Sequence, residues 1–356
     1  MVTATSERQA DAWLQRAAPS PERILPGLWA IALPAVDNPI AYTIDYLFET
    51  GTGLALIDTG WGGESSLHAL EHALGEIGWS TADIEGVLVT HMHPDHFGLI
   101  PTLLDADPAL RLYMHDDDLR LVDERGDELR ARTTPRWQRL MRSIGAPDSL
   151  DLTRRARLPY RLDPSHAAQI VAVAAGSRIP LGGWTLRALW TPGHTPGHLC
   201  FLIEGHDLLI TGDHVLPTIT PQITQLSDPD DDPLGRYLAS LADLRVFDGA
   251  EVLPAHQYRF AELGERIDEL LAHHDRRLAI LERSVQDNPG RTCFELAPEL
   301  DWRTPLDEMP IEQARMAVRE TLAHLLHLRE TARVERVDEN PATWWPVKMT
   351  EGRTTA

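Results

Sequence analysis

A chain of 356 residues, 43% of them hydrophobic, is long enough for one large domain and a smaller one. Its 54 acidic against 33 basic residues give a formal charge of -21, a field that repels nucleic acid and anionic membrane surfaces at long range. Only two cysteines are present, Cys200 and Cys293, which excludes a disulfide framework and fits a reducing compartment. Residues 1–26 lack the apolar stretch of a secretory signal, and no run approaches the roughly 18 apolar residues of a membrane span. A cytoplasmic location without membrane attachment is therefore expected.

In chain order, residues 1–21 read as a helical or frayed lead-in. From Ile24 the texture is that of strands, over 28–31, 42–48 and 54–57, the last running into the turn-rich Asp58-Thr59-Gly60. Leu67, Leu70, Ala73, Leu74 and Ile77 have helical spacing over 65–78. A strand over 87–90 leads into His91-Met92-His93-Pro94-Asp95-His96, followed by a helix over 97–104 and a short strand over 110–114. Residues 117–166 are rich in Arg and Asp, carry Trp137, Leu140 and Met141 at helical spacing, and read as a helical insertion between strands. Strands resume over 170–174, 184–190, 199–203 and 208–210. A Pro- and Asp-rich loop over 217–233, a helix over about 234–246 and a strand over 251–253 come next. Two groups of strands punctuated by helices predict an α/β fold, an αββα sandwich of two similar halves. Beyond about residue 262 the pattern becomes mostly helical, over 264–287 and 311–332, and ends in an apolar stretch over 343–347. The expected organisation is a catalytic domain over 22–262 and a small C-terminal domain over 263–347.

The six residues His91–His96 carry most of the chemical information. Imidazole nitrogen and carboxylate oxygen suit a borderline divalent ion such as zinc. In an extended segment His91, His93 and Asp95 point one way, and a turn is needed to bring His96 round. Donors split over two directions at such short range suggest two ions. Further donors follow three other apolar strands, in Thr191-Pro192-Gly193-His194-Thr195-Pro196-Gly197-His198, in Thr211-Gly212-Asp213-His214 and in Pro254-Ala255-His256. Strand ends are rigid supports, as a preorganised site requires.

The ordered set Asp58-Thr59-Gly60, HMHPDH, TPGHTPGH, GDH and PAH resembles the metallo-β-lactamase superfamily over about residues 22–260. The resemblance implies that His91, His93 and His194 hold one metal ion, that Asp95, His96 and His256 hold a second, and that Asp213 bridges them. It implies two divalent cations, zinc foremost, with iron or manganese as alternatives. His198 and Asp58 are expected behind the ligands, Asp58 accepting a hydrogen bond from a ligand imidazole or the metal loop. His214, His273-His274-Asp275-Arg276-Arg277 and the C-terminal helices are similar to the glyoxalase-II-like branch. Within it they resemble the lactamase-like protein 2 group, which carries a C-terminal winged-helix domain.

Two ions bridged by a carboxylate lower the pKa of a shared water toward neutrality, and Asp95 or Asp213 could orient that nucleophile. Such a site specifies hydrolysis without specifying the bond. The leading expectation is a carbonyl of a small organic substrate, foremost a thioester of coenzyme A or glutathione, or a lactone. Tyr258 and Arg259 are candidates for binding a substrate carboxylate or phosphate, with a surface ion pair as the alternative for Arg259. Trp137 and Met141 are candidates for an acyl pocket, with core packing of the insertion favoured. The runner-up activity is single-strand endoribonuclease or phosphodiesterase chemistry. Against it, residues 265–356 hold 13 Lys/Arg and 18 Asp/Glu, whereas a nucleic-acid-binding wing is normally basic. That domain is read instead as a packing, pocket-closing or dimerising element, with a homodimer left open. Iron-dependent oxygen chemistry and a purely structural metal site are the remaining readings.

Overall fold

The computed structural model describes residues 2–35, 40–123, 125–153, 161–224 and 231–347. Parts of the expected insertion (154–160) and of the Pro- and Asp-rich loop (225–230) lie outside the described residues. The chain forms two compact units. The first comprises Met1–Arg130, Arg157–Pro221 and Arg236–Leu270, the second Ala131–Ala156, Gln222–Gly235 and Leu271–Ala356.

The first unit opens with helix α1 (Glu7–Gln15), whose N-cap Ser6 accepts a hydrogen bond from the Gln9 amide. Strands β1 (Glu22–Leu25), β2 (Leu28–Pro34), β3 (Tyr42–Glu49) and β4 (Leu54–Ile57) pair antiparallel in sequence order. Helix α2 (Glu64–Glu76) buries Leu70 and Leu74 and packs on β2. Strand β5 (Ile84–Leu88) joins parallel to β4, helices α3 (Pro94–Phe97) and α4 (Ile100–Ala106) follow, and β6 (Arg111–His115) extends the parallel edge. Helix α5 (Asp116–Val122) leads to α6 (Arg125–Arg142), along which the chain leaves the first unit, and β7 (Ile170–Val173) completes a seven-stranded sheet. The second sheet is built from β8 (Arg178–Leu181), β9 (Trp184–Trp190), β10 (Leu199–Ile203), β11 (Leu208–Gly212) and, after helix α7 (Pro233–Leu244), β12 (Glu251–Pro254). Its order is β12-β11-β10-β9-β8, with β12 parallel to β11 and the rest antiparallel.

The two sheets share one apolar core. Tyr42, Ile44, Tyr46 and Phe48 project from β3, while Leu186 and Ala188 of β9 and Phe201 and Ile203 of β10 project from the second sheet. Because side chains alternate along a strand, a one-residue slip would turn these groups outward, so burial fixes the register. The expected αββα sandwich is the observed architecture of this unit. The lead-in is fastened to it: Ala4 bridges Phe260, and the Arg259 amide donates to Gln9 Oε1.

Helix α8 (Leu263–Asp287) carries the chain into the second unit, which is mostly helical, with α9 (Cys293–Leu296) and α10 (Ile311–Glu330). A Thr292–Glu295 capping box starts α9. Strands β13 (Val334–Val337) and β14 (Thr343–Pro346) form an antiparallel pair after α10. Trp137, Leu140 and Met141 of α6 are buried in this unit, with the Arg319 guanidinium 5.4 Å from the Trp137 ring, so they serve core packing.

Two local differences from the sequence pattern have clear causes. The strand expected over 87–90 ends at Leu88, because the Thr90 amide donates to an Asp58 carboxylate oxygen instead of a neighbouring strand. The helix expected over 97–104 is broken into α3 and α4, because Pro101 lacks the N–H that would bond back to Phe97 and its ring crowds that carbonyl.

Candidate metal centre

Every cluster donor lies just beyond the C-terminal end of a strand. Asp58 follows β4, His91–His96 follow β5, His194 and His198 follow β9, Asp213 follows β11 and His256 follows β12. The first two loops come from one sheet and the other three from its partner.

Three groups of donors converge, each with its ligand atoms within 4.8 Å of one another: His91, His93 and His194; His91, His96 and Asp213; and Asp95, His96 and His256. Asp213 lies within 4.0 Å of a donor from each group. Its Oδ2 lies 3.5 Å from His96 Nε2, 3.6 Å from His194 Nε2 and 4.0 Å from His91 Nε2. Its Oδ1 lies 3.1 Å from His256 Nε2. Asp95 Oδ2 is 3.5 Å from His256 Nε2 and 3.7 Å from His96 Nε2.

The far sides of the rings decide which nitrogens face this centre. His256 Nδ1 is 3.4 Å from the Tyr42 carbonyl, which can only accept, so Nδ1 carries the proton. His96 Nδ1 donates in the same way to Asp58 Oδ2 at 2.9 Å. The single Thr90 hydroxyl proton goes to Asp58 Oδ2 at 2.8 Å, leaving Thr90 Oγ1 to accept from His91 Nδ1 at 3.0 Å. Each of these three imidazoles therefore turns Nε2 toward the carboxylates, with its tautomer fixed from behind. Asp58 holds a left-handed backbone (φ 62°), uncommon for a residue with a side chain, where both its oxygens reach the Thr90–His96 loop.

Burial holds His91 well below the usual histidine range, helped by its imidazole neighbours, and pushes His93 down to about 3. At His256 burial is outweighed by Asp213 and Asp95, which raise it to about 10; the same carboxylates and Asp58 raise His96. In return His256 and His96 hold Asp213 and Asp95 low despite burial. The centre thus favours positive charge where the two acids meet the imidazoles. The buried atoms His96 Nε2, His256 Nε2 and Asp213 Oδ1 have no hydrogen-bond partner among the described residues. Buried polar atoms left this way, aimed at one point and made of nitrogen and carboxylate oxygen, fit a divalent cation.

His198 is fully buried with its ring 5.1 Å from that of His91, outside the three donor groups, and its Nδ1 is 2.8 Å from Thr191 Oγ1. His214 is also buried, its Nε2 3.2 Å from Ser240 Oγ and its ring against Tyr237; burial pushes it down to about 3. Arg259 is not brought to the centre. Its guanidinium is buried between Glu22 (2.8 Å) and Glu251 (2.6 Å), where it ties the lead-in side of the sheet to β12. Tyr258 is half-buried.

Three residues of the site escape motif reading. Thr90 is the relay between Asp58 and His91. Asp118, on α5, is fully buried and joins two loops: its Oδ2 accepts from the Met92 amide (2.9 Å) and Thr195 Oγ1 (2.7 Å), and its Oδ1 from the Gly197 amide (2.6 Å). A side chain at Gly197 would place its Cβ 2.6 Å from the Asp118 amide nitrogen, so this approach needs glycine. Asp45, on β3, is buried with neither oxygen hydrogen-bonded among the described residues, and burial together with Asp58 holds its carboxyl well above the usual range. The signal for Asp45 is an acid in the middle of the mostly apolar run 42–48 of a strand buried on both faces.

The sequence profile of the metallo-β-lactamase superfamily matches residues 45–256. Lactamase-like protein adaB of Aspergillus niger is 30% identical over 248 residues, 68% of this chain and 59% of that protein, so the match spans about three fifths of that relative's length. Atrochrysone carboxyl ACP thioesterase AgnL7 of Paecilomyces divaricatus is 26% identical over 312 residues, 85% of this chain and 80% of its own. Among solved structures, a metallo-β-lactamase family protein of Thermus thermophilus superposes with a TM-score of 0.74 at 30% identity, covering 91% of this chain and 100% of that one. A family match over more than half of the chain agrees with the strand-end donors, and divalent metal ions are what that family and this donor set both require. The chain belongs to the metallo-β-lactamase superfamily.

Proposed function

We propose that the chain is a dinuclear thioesterase, cleaving the carbonyl–sulfur bond of a small acyl thioester such as that of coenzyme A or glutathione, with a lactone as the related substrate. The observation that supports two ions is the position of Asp213, with one oxygen toward His91, His96 and His194 and the other on His256. His91, His93 and His194 would hold the first ion, and Asp95, His96 and His256 the second, with Asp213 between them. The all-nitrogen and oxygen donor set suits zinc.

Two such ions would supply Lewis-acid polarisation of the carbonyl and a lowered pKa for attacking water. The protein's own part is orientation and proton handling. Asp58, Thr90 and the Tyr42 carbonyl lock His96, His91 and His256 in one tautomer. Asp95 and Asp213, with side chains 15% and 11% exposed, are the two carboxylates that could orient a water at the centre. A departing thiolate needs no protonation near neutral pH, which favours a thioester over an alkyl ester.

The choice of a thioester is further supported by the relative named an ACP thioesterase. The helix α10 followed by the β13–β14 pair supports a winged-helix-like reading of the C-terminal part. The test is thiol release from acetyl-, benzoyl- and long-chain acyl-CoA and from S-lactoylglutathione, run beside a lactone and single-stranded RNA. Turnover of at least one thioester well above the RNA rate is expected. RNA cleavage with every thioester inert would overturn the reading, and elemental analysis giving iron instead of two zinc ions per chain would remove the zinc assignment.

A further inference from the structure

Arginine is concentrated at one place in the second unit. Arg136, Arg139 and Arg142 recur every third residue along α6, and with Arg329 near the end of α10 and Arg336 of β13 they line one cleft of about 580 Å³. Asp338 and Glu339 are the cleft's acids, which leaves a surplus of positive groups. This happens in a chain whose formal charge is -21.

The internal partners do not use up that charge. Arg336 pairs with Asp338 at 3.1 Å and donates to Ser143 Oγ at 2.8 Å, while Arg329 pairs with Glu330. Arg136 has a partner of its own, whereas Arg139 and Arg142 have no ion pair or side-chain hydrogen bond among the described residues. Burial holds Arg336 below the usual arginine range against the opposing pull of Asp338, and the neighbouring Arg329 adds to the lowering. Like charges gathered in a concave space repel, and a bound anion relieves that repulsion.

We propose that this cleft is a binding site for a small organic diphosphate, of the nucleoside diphosphate class. Guanidinium forks bind phosphate oxygens bidentately, and several forks around one group select a multiply charged phosphate over a single carboxylate. The cleft falls within the volume range of small-molecule sites, and Leu140 and Asn340 offer it an apolar contact and an amide for the organic part. A long polyanion is disfavoured, because it must lie along a strongly acidic molecule, whereas a compact ligand meets mainly the charges within a Debye length of about 8 Å.

The test is calorimetric titration of the full-length, metal-loaded protein with ADP, AMP, adenosine and an oligouridylate, at 50 and 200 mM salt. ADP is expected to bind, AMP at least tenfold more weakly, and adenosine not at all, with ADP affinity falling as salt rises. The double variant Arg139→Ala/Arg142→Ala removes two exposed side chains that have no partner among the described residues and is expected to weaken ADP at least tenfold. Thioester hydrolysis and metal content should stay unchanged, so the metal centre serves as its own control. Arg139→Lys/Arg142→Lys keeps the charge and should recover part of the affinity. Undetectable ADP binding, ADP affinity unchanged in the double variant, or oligouridylate bound through these arginines in place of ADP would each overturn the proposal.

Discussion

Asp118 accepts three hydrogen bonds from three different donors, two on the loop carrying His194 and one on the loop carrying His91 and His93. An amide can accept at only one of its two ends, so Asp118→Asn must set an N–H against either the Gly197 amide or the Thr195 and Met92 donors. The expected result is about 1–3 kcal/mol of lost stability and a roughly 10- to 100-fold loss of metal affinity, read by denaturant titration and by competition with a chelating dye. Asp213→Ala acts differently. Removing the one carboxylate that reaches both donor sets should lower metal content from two ions to at most one and abolish hydrolysis. Retention of both ions and full turnover would end the dinuclear assignment. The donors themselves are legible in the sequence, since His and Asp at close spacing after apolar strands have few structural uses. Thr90, Asp118 and Asp45 are not, because their importance lies in partners far away in the chain or in burial that a linear pattern does not report.

Among the elements, the strands over 54–57, 184–190 and 199–203 agree to the residue: the first and last are buried apolar runs, and the middle one alternates buried Leu186 and Ala188 with part-exposed neighbours. The four-residue edge strands β1 and β8, half-exposed and containing charge or proline, are too short to stand out. Periodicity likewise has no means of reporting that the described residues of 131–156 and 222–235 group with the C-terminal helices. Helix α10 shows what such packing does to a charged group. Glu320 is buried with Arg277 at 2.7 Å, yet burial outweighs that partner and raises its carboxyl to about 7. The unfolded chain has an ordinary glutamate, so between about pH 4.5 and 7 the folded state holds the extra proton. Stability from this group is full below that window and is lost as pH rises through it. Relative to wild type, Glu320→Gln should therefore flatten the fall in stability with rising pH by up to ~1.4 kcal/mol per pH unit, measured by urea unfolding at several pH values. A pH-independent difference between the two proteins would contradict it.

For the molecule as a whole, ions that bind only the folded state stabilise it by mass action, about 2.7 kcal/mol for free metal at one hundred times the dissociation constant. Chelation is therefore expected to lower the melting temperature of the transition that includes the sandwich, reversibly on adding zinc. Equal melting curves with and without chelator would show that the donor set adds nothing to stability. No helix among the described residues is long and apolar enough to cross a membrane. The donors are drawn from both sheets, and the order in which they leave the ribosome matters. The His91–His96 loop emerges well before His194, Asp213 and His256, so during synthesis it can offer an ion only an incomplete and weakly binding shell. A full complement of donors exists only after the second sheet has closed on the first. Metal occupancy is thus a record of completed assembly, and chains that take up less than their full share of metal should be enriched in molecules whose second half never docked.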